Sequence, residues 1–348
     1  MSKIMPLELI EDKVVLITGG TGTIGGALVR HLLQHKPRVI RIFSRDENKQ
    51  YFMKNDLQDS QPLRFFIGDV RDQERLERAM IDVDLVFHLA ALKHVESCEY
   101  NPFEAIQTNI LGTQNIINVA LRHNVERVVF SSTDKAVNPA NAMGASKLMA
   151  EKLIVAANYY KGRQKTIFSS VRFGNVLGSS GSVVPTIIDR IRCARPIEVT
   201  HREMTRYIIT LEDSLDLLIA ALRLCDGGDI LIRKMPIVLI IDLAESLLQM
   251  HGLPVNKDTL QIVGSRAGEK MFEELVTLEE STRAFDLGDY YRIRPKIGGQ
   301  EKAGDPEKPI PVAAYTSDSG TRLNIKEIQE LLQSAKIEIQ APFNRARS

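Results

Sequence analysis

A run of strand-forming residues that breaks into glycines and restarts at helical spacing leaves few folds open. Residues 13–33 read KVVLITGGTGTIGGALVRHLL. The apolar run at its start asks for a buried strand, Gly20, Gly22 and Gly25 satisfy G-x-G-x-x-G, and residues 24–35 repeat apolar side chains at helical spacing. A second reading, T-G-x-x-G-x-x-G, begins at Thr18 and adds Gly19. Glycines in such a turn let backbone amides approach a pyrophosphate at a helix N-terminus. A tight turn without a ligand is the alternative, but strand, turn, helix and second strand all follow in order. The stretch is therefore expected to bind a dinucleotide through Gly19, Thr21, Gly22, Thr23, Ile24 and Gly25.

Further strand candidates fall at 38–44, 63–70, 84–91, 127–132 and 169–176, with helical patterns between most of them, notably 103–123 and 143–160. This alternation predicts an α/β fold, a doubly wound parallel sheet of the Rossmann type, over residues 9–178. Beyond Gly178 the pattern loosens. Helices are expected at 183–194 and 211–225 and a strand at 229–234. Residues 179–295 read mainly as a smaller substrate-binding lobe, with some strands returning to the first domain. The Gly-, Pro- and charge-rich stretch 296–311 reads as a mobile loop, and 324–335 as a terminal helix.

A chain of 348 residues with 44% hydrophobic and 26% charged residues has ample material for a core. A net charge of +1 gives no bulk electrostatic reason to bind nucleic acid or an anionic membrane. The three cysteines are widely spaced and form no C-x-x-C pair, which argues against a disulfide framework or a zinc site and fits a reducing cytosol. The apolar stretch 235–250 is broken by Asp242 and Glu245 and falls short of the roughly 20 residues of a membrane span. The first residues lack the apolar core of a signal peptide. A cytoplasmic protein without a metal site is the expectation.

The end of the second strand selects the cofactor. An NAD site places Asp or Glu there, whereas residues 42–49 read IFSRDENK. Ser44 sits at the strand end, with Arg45, Asp46 and Lys49 beyond it. A guanidinium at that place suits a 2′-phosphate, so NADP is expected, with Asp46 leaving NAD as the alternative.

Residues 131–147, SSTDKAVNPANAMGASK, place Thr133, Met143 and Lys147 where short-chain dehydrogenases carry Ser or Thr, Tyr and Lys. Together with TGGTGTIG (18–25), GDVRD (68–72), FHLAALKHVE (87–96), VRFGNVLGSSGSVVP (171–185), MTRYIITLEDS (204–214), DILIRKMP (229–236) and RAGEKMFEELVT (266–277), the chain resembles the extended short-chain dehydrogenase/reductase family. More closely, it resembles the polysaccharide-biosynthesis branch that includes the UDP-N-acetylglucosamine 4,6-dehydratases, over about residues 10–295. The resemblance implies that Asp69, Val70, Leu89, Ala90, Ala91 and Lys93 also line the cofactor. It also implies a three-part reaction: oxidation at sugar carbon 4, loss of water across carbons 5 and 6, and return of hydride to carbon 6.

In that reaction the resemblance assigns Asp134 as acid and Lys135 as base, both facing the cleft, and Lys147 to the nicotinamide ribose. A basic Lys135 calls for a lowered pKa, expected from burial beside a cation such as Lys147. Met143 cannot take a proton, so the usual tyrosinate is absent. Subgroups of the resembled branch carry Met there and are dehydratases. Asp134 or Lys135, assisted by the Thr133 hydroxyl, is therefore expected to take the carbon-4 hydroxyl proton.

A nucleotide-sugar diphosphate calls for arginines and backbone amides. Arg206 and Arg266 are the candidates by family position. Glu269 is expected on the ribose, Asn175, Ser182 and Val183 on the sugar and diphosphate, and Lys93 and His94 at the cofactor–substrate boundary. Glu96 stands where many relatives have proline. The implied partner is UDP-N-acetylglucosamine, bound to a homo-oligomer. A UDP-sugar 4-epimerase and a non-catalytic NADP-sensing protein, the latter supported only by Met143, remain as alternatives.

Overall fold

The computed structural model describes residues 9–57, 62–265, 268–296, 308–311 and 313–337. Its apolar opening run forms β1 (Val14–Thr18), buried along its whole length. Alternate side chains of a strand leave opposite faces. Val15 and Ile17 pack with Leu28, Val29 and Leu32 of α1 (Thr23–Leu33), whereas Val14 and Leu16 pack with Ile116 and Ala120 on the other side. A strand covered on both faces belongs at the centre of a doubly wound sheet.

The neighbours confirm that position. Strands β2 (Val39–Ser44), β3 (Leu63–Ile67), β4 (Leu85–His88), β5 (Arg127–Ser131) and β6 (Ile167–Arg172) run parallel to β1 in the spatial order 3-2-1-4-5-6. The expected fold class is present. Strand order reverses between β1 and β4, and the crevice beyond their carboxyl ends is where such sheets bind ligands. Ile230–Arg233 adds in parallel beside β6; Tyr290–Ile293, Ala284–Asp286 and Lys308–Pro309 extend the sheet antiparallel to ten strands.

Two expectations change. The pattern at 103–123 is not one α-helix: Pro102–Ala105 and Gly112–Arg122 flank a π turn at Ile106–Leu111. Periodicity averages over a single inserted residue, so the sequence does not reveal it. The turn carries Asn109, which is buried; its amide donates to Leu92 O and Ser146 Oγ and its oxygen accepts from Leu92 N. The run at 169–176 also divides. β6 ends at Arg172, and Asn175–Val176 pairs instead with Thr205–Ile209 in a separate sheet completed by Ile237–Leu239. Gly174 permits this close crossing, since a Cβ there would lie 2.6 Å from Tyr207 O.

Residues 297–307 of the expected loop lie outside the described residues, while Lys308–Pro309 form an edge strand. The terminal helix is Ile325–Ser334, started by a reciprocal cap between Asn324 and Glu327.

Arg172 fastens the C-terminal part to the sheet. Its guanidinium, 1% exposed, donates to both carboxylate oxygens of Glu151, both of Glu280 and the Leu275 carbonyl, at 2.6–2.9 Å. This joins β6, the helix Ala142–Tyr160 and the helix Leu278–Ser281 in one buried cluster.

Candidate active site

The turn after β1 is shaped for a phosphate. Gly19 adopts φ +69°, and a Cβ there would lie 2.9 Å from Ala90 N; a Cβ on Gly25 would collide with Gly19 O and Gly20 Cα. Gly22 caps α1 without a side chain, so no side-chain oxygen occupies the amides of the first turn. The turn opens into a cleft of about 1030 Å³ that runs between the sheet and the 179–273 region. Thr21, Thr23 and Ile24 line this cradle, with Asp69, Val70, Leu89, Ala90 and Ala91 beside it. The shape fits the pyrophosphate of a dinucleotide.

At the end of β2 the Ser44 hydroxyl bonds Thr21 Oγ1 at 2.8 Å. Asp46 caps the next helix by accepting from Lys49 N. Arg45 lies 3.5 Å from Asp69 and is half-exposed at the cleft edge, where Lys49 also lies.

Beyond β5 the chain makes a one-turn 3-10 helix, Asp134–Ala136, then the helix Ala142–Tyr160 starts at Asn141, whose side chain accepts from Gly144 N. Gly144 is pressed on the Lys135 carbonyl, where a Cβ would collide. That contact fixes the Asp134–Ala136 turn against the helix that carries Met143 and Lys147. Met143 packs with Cys98 and Ala105. Lys147 lies 4.1 Å above the Phe130 ring and donates to Ser131 O.

Burial lowers the Lys147 ammonium from its ordinary 10.5 to about 7, against the pull of Glu151. The folded state therefore binds this proton more weakly than the unfolded chain. Stability of the cofactor-free protein is expected to rise with pH between about 7 and 10.5, by up to about 1.4 kcal/mol per pH unit from this group. Urea titrations across that range should show the rise in wild type and a flatter curve in Lys147→Met; parallel curves would remove the assignment.

The expected acid–base pair is adjacent but not equally presented. Thr133 Oγ1 donates to Asp134 Oδ1 at 2.8 Å, and Lys135 Nζ donates to the same oxygen at 2.9 Å and to Asn175 Oδ1 at 3.2 Å. Asp134 is fully buried, so it does not face the cleft; Thr133 and Lys135 do, with the Lys135 side chain 23% exposed. The charge of Lys135 also departs from expectation. Burial pulls its pKa down, but Asp134 and Glu273 outweigh burial and the opposing Arg206, and the value ends above the ordinary one. The cation that acts on it is Arg206.

Glu273 is the residue that sequence reasoning missed. It lies 3.5 Å from Lys135 Nζ and 3.7 Å from Arg206 Nε, is 2% exposed, and burial, followed by Asp134, raises its pKa. The available signal was a pair of glutamates opening the buried strand Glu274–Val276.

Arg206 lines the cleft, but its guanidinium donates to the carbonyls of Thr205, Lys270 and Met271 and pairs loosely with Glu269 at 3.7 Å. Lys93 donates to Ser180 O, and His94 packs on Gly181 (φ +71°). Ser182 caps the helix Val183–Arg192 with no side-chain bond, and its buried hydroxyl has no partner, leaving a second helix N-terminus open to the cleft. Arg266 lies outside the described residues.

Residues 15–295 match the family described as polysaccharide biosynthesis protein. The chain belongs to that family. Among relatives of this polysaccharide biosynthesis protein, one from Methanocaldococcus jannaschii, described as an uncharacterized membrane protein, is 47% identical, covering 93% of this chain and 96% of its own. A Rickettsia bellii protein described as UDP-glucose 4-epimerase is 44% identical, covering 92% and 95%. The crystal structure of Pen from Bacillus thuringiensis superposes with a TM-score of 0.89 at 41% identity, covering 94% of this chain and 99% of Pen. In this family member, no described helix is long and apolar enough to cross a membrane. Among the described residues no group of His, Cys, Asp and Glu could hold a metal ion.

Proposed function

We propose that this chain is a nucleotide-sugar 4,6-dehydratase acting on UDP-N-acetylglucosamine. The observation that carries the reading is the presentation of the Thr133 hydroxyl and Lys135 ammonium to one cleft, both tied to the buried Asp134 behind them. An epimerase has no need of a second acid–base group for elimination.

A nicotinamide bound over this cleft would supply the reversible hydride acceptor. The chain's own residues move the protons. The carbon-4 hydroxyl donates to Thr133 Oγ1 as that hydroxyl passes its proton to Asp134 Oδ1, which replaces the missing tyrosinate. Lys135, as the amine, removes the carbon-5 proton. Asp134 returns the first proton through Thr133 to the hydroxyl leaving carbon 6, and Lys135 gives a proton back to carbon 5 as hydride returns to carbon 6. Acid–base groups on both sides of one elimination contribute most when held within hydrogen-bond reach of the ring. The open N-terminus at Ser182–Val183 suits the sugar-nucleotide diphosphate, with Asn175 and Lys93 on the sugar side.

The test is incubation with UDP-N-acetylglucosamine in deuterated water, followed by mass spectrometry and proton NMR. Loss of water with deuterium at carbon 5 is the expected result; unchanged mass with no new sugar would end the proposal. A second reading, a UDP-sugar 4-epimerase, is favoured by the name of the Rickettsia bellii relative. It predicts unchanged mass with a galacto product.

For the cofactor we propose NADP, with Arg45 and Lys49 on the 2′-phosphate. Arg45→Ala is expected to weaken NADP about tenfold and NAD by less than twofold, read by calorimetry. Equal losses for both would assign the site to NAD. The free thiols Cys98, Cys193 and Cys225 suit the reducing cytoplasm in which we place the enzyme.

A further inference from the structure

A base held as an ammonium cannot take a proton, and Lys135 stands between two carboxylates that hold it so. Asp134 Oδ1 already accepts from both Thr133 and Lys135. Glu273 is placed differently. Its backbone is pinned by Ser317, whose hydroxyl accepts from Glu273 N while Ser317 N donates to Glu273 O, and that hydroxyl also bonds Thr205 Oγ1. Its carboxylate then reaches the cleft floor with Oε2 buried and unpartnered and Oε1 at ion-pair distance only, from Lys135 and Arg206. A buried carboxylate that receives no hydrogen bond is costly as an anion and is relieved by a proton.

We propose that Glu273 frees Lys135 to act as the base by accepting a proton from its ammonium. The Nζ–H bond breaks, an O–H bond forms on Glu273 Oε1, and a neutral amine is left beside a neutral carboxyl. No electrons change owner and no proton enters from solvent. Once substrate has displaced water from the cleft, two neutral groups avoid the desolvation that an ion pair bears. The 3.5 Å separation is a resting one, and acid–base contacts tighten when substrate fills the site. Arg206 and Lys270 face Glu273 with opposing charge, and Asp134 faces it with like charge. Burial, the largest influence, and Asp134 favour the protonated carboxyl, whereas Lys135, Arg206 and Lys270 favour the anion, and the balance lies above the ordinary carboxyl. Glu273 touches the reaction only through Lys135 and is a positioning residue in that sense.

The assignment rests on the dehydratase reading, and two measurements separate them. The first is the pH profile of kcat for water loss from UDP-N-acetylglucosamine. In wild type the amine forms by internal transfer, and kcat is expected to be flat across neutral pH. In Glu273→Gln it forms only by proton loss to solvent, so kcat is expected to fall 10–100-fold at pH 7 with KM within twofold, then climb about tenfold per pH unit. Glu273→Asp is expected to restore the flat profile. A Glu273→Gln profile parallel to wild type would overturn the proposal, because a purely structural loss lowers the curve without tilting it.

The second measurement needs no turnover: the rate at which trinitrobenzenesulfonate modifies Lys135, read by peptide mass at pH 8. Without the carboxylate that takes its proton, Lys135 is left as the ammonium at pH 8, so Glu273→Gln is expected to label several-fold more slowly. Equal or faster labelling would also overturn the proposal. Should wild type remove no water from the sugar, the dehydratase reading fails, and the labelling rates alone decide whether Glu273 governs Lys135.

Discussion

Lys135→Arg is expected to lower turnover on UDP-N-acetylglucosamine about 10²–10⁴-fold, the range that a positioned acid–base group supplies. Arginine keeps the positive charge between Asp134 and Glu273, so the ion pairs and the fold persist, but a guanidinium cannot become a base. Lys135→Met is expected to lose as much turnover and to destabilise as well, because it leaves two buried carboxylates without their shared cation. KM should move little in Lys135→Arg, since the lost interaction belongs to the transition state. Initial rates by coupled mass spectrometry, with thermal melts of both variants, make the comparison. Turnover of Lys135→Arg within tenfold of wild type would exclude Lys135 as the base.

The second large effect is on stability. Arg172→Met removes the one cation shared by Glu151 and Glu280 and strands both carboxylates where 1% or less of the Arg172 and Glu151 side chains and 6% of the Glu280 side chain reach solvent. Breaking a buried pair in this way costs about 3–5 kcal/mol. Burial alone would raise the Glu280 carboxyl; the hydrogen bond and charge of Arg172 bring it below its ordinary 4.5. A depressed carboxyl contributes stability above its ordinary value and loses it as pH falls through the folded one. The gap between wild type and Arg172→Met is therefore expected to be full at pH 7 and to narrow in acid. Urea unfolding at pH 7 and pH 4 measures it. A difference below about 1 kcal/mol at pH 7 would mean that the cluster can be replaced by packing.

How much of this was written in the sequence differs by level. The strand–glycine–helix run at 13–33 specified the fold and the phosphate cradle because backbone conformation and periodicity are local properties. That Thr133, Lys135, Met143 and Lys147 share one cleft was legible for the same reason, since they lie on one turn and one helix. Three things were not. The burial of Asp134 depends on what crosses behind it, including the Asp134 amide bond to Phe173 O and the packing of Gly144 on Lys135. The charge of Lys135 depends on Asp134 and on Glu273, which is 138 positions away and whose backbone Ser317 holds. The π turn at Ile106–Leu111 changes one hydrogen-bond register without disturbing the apolar stripe. Each is a long-range or register fact, and single-residue patterns carry neither.

The Arg172 cluster and the Ser317 latch also set an order of events during synthesis. The parallel strands β1–β6 can pair as they emerge, since each lies beside at least one strand that neighbours it in sequence. Yet Arg172 on β6 must wait for Glu280, more than a hundred residues later, and Glu273 is not held until Ser317 has followed. A growing chain thus passes through a stage with its cofactor turn formed, a charged side chain awaiting burial and no settled acid–base centre. Partly made chains expose such unfinished surfaces to aggregation and to chaperones. On the proposed mechanism, catalytic competence arrives late in translation, and a fragment ending before residue 317 would carry the cradle without the Ser317 contacts to Glu273.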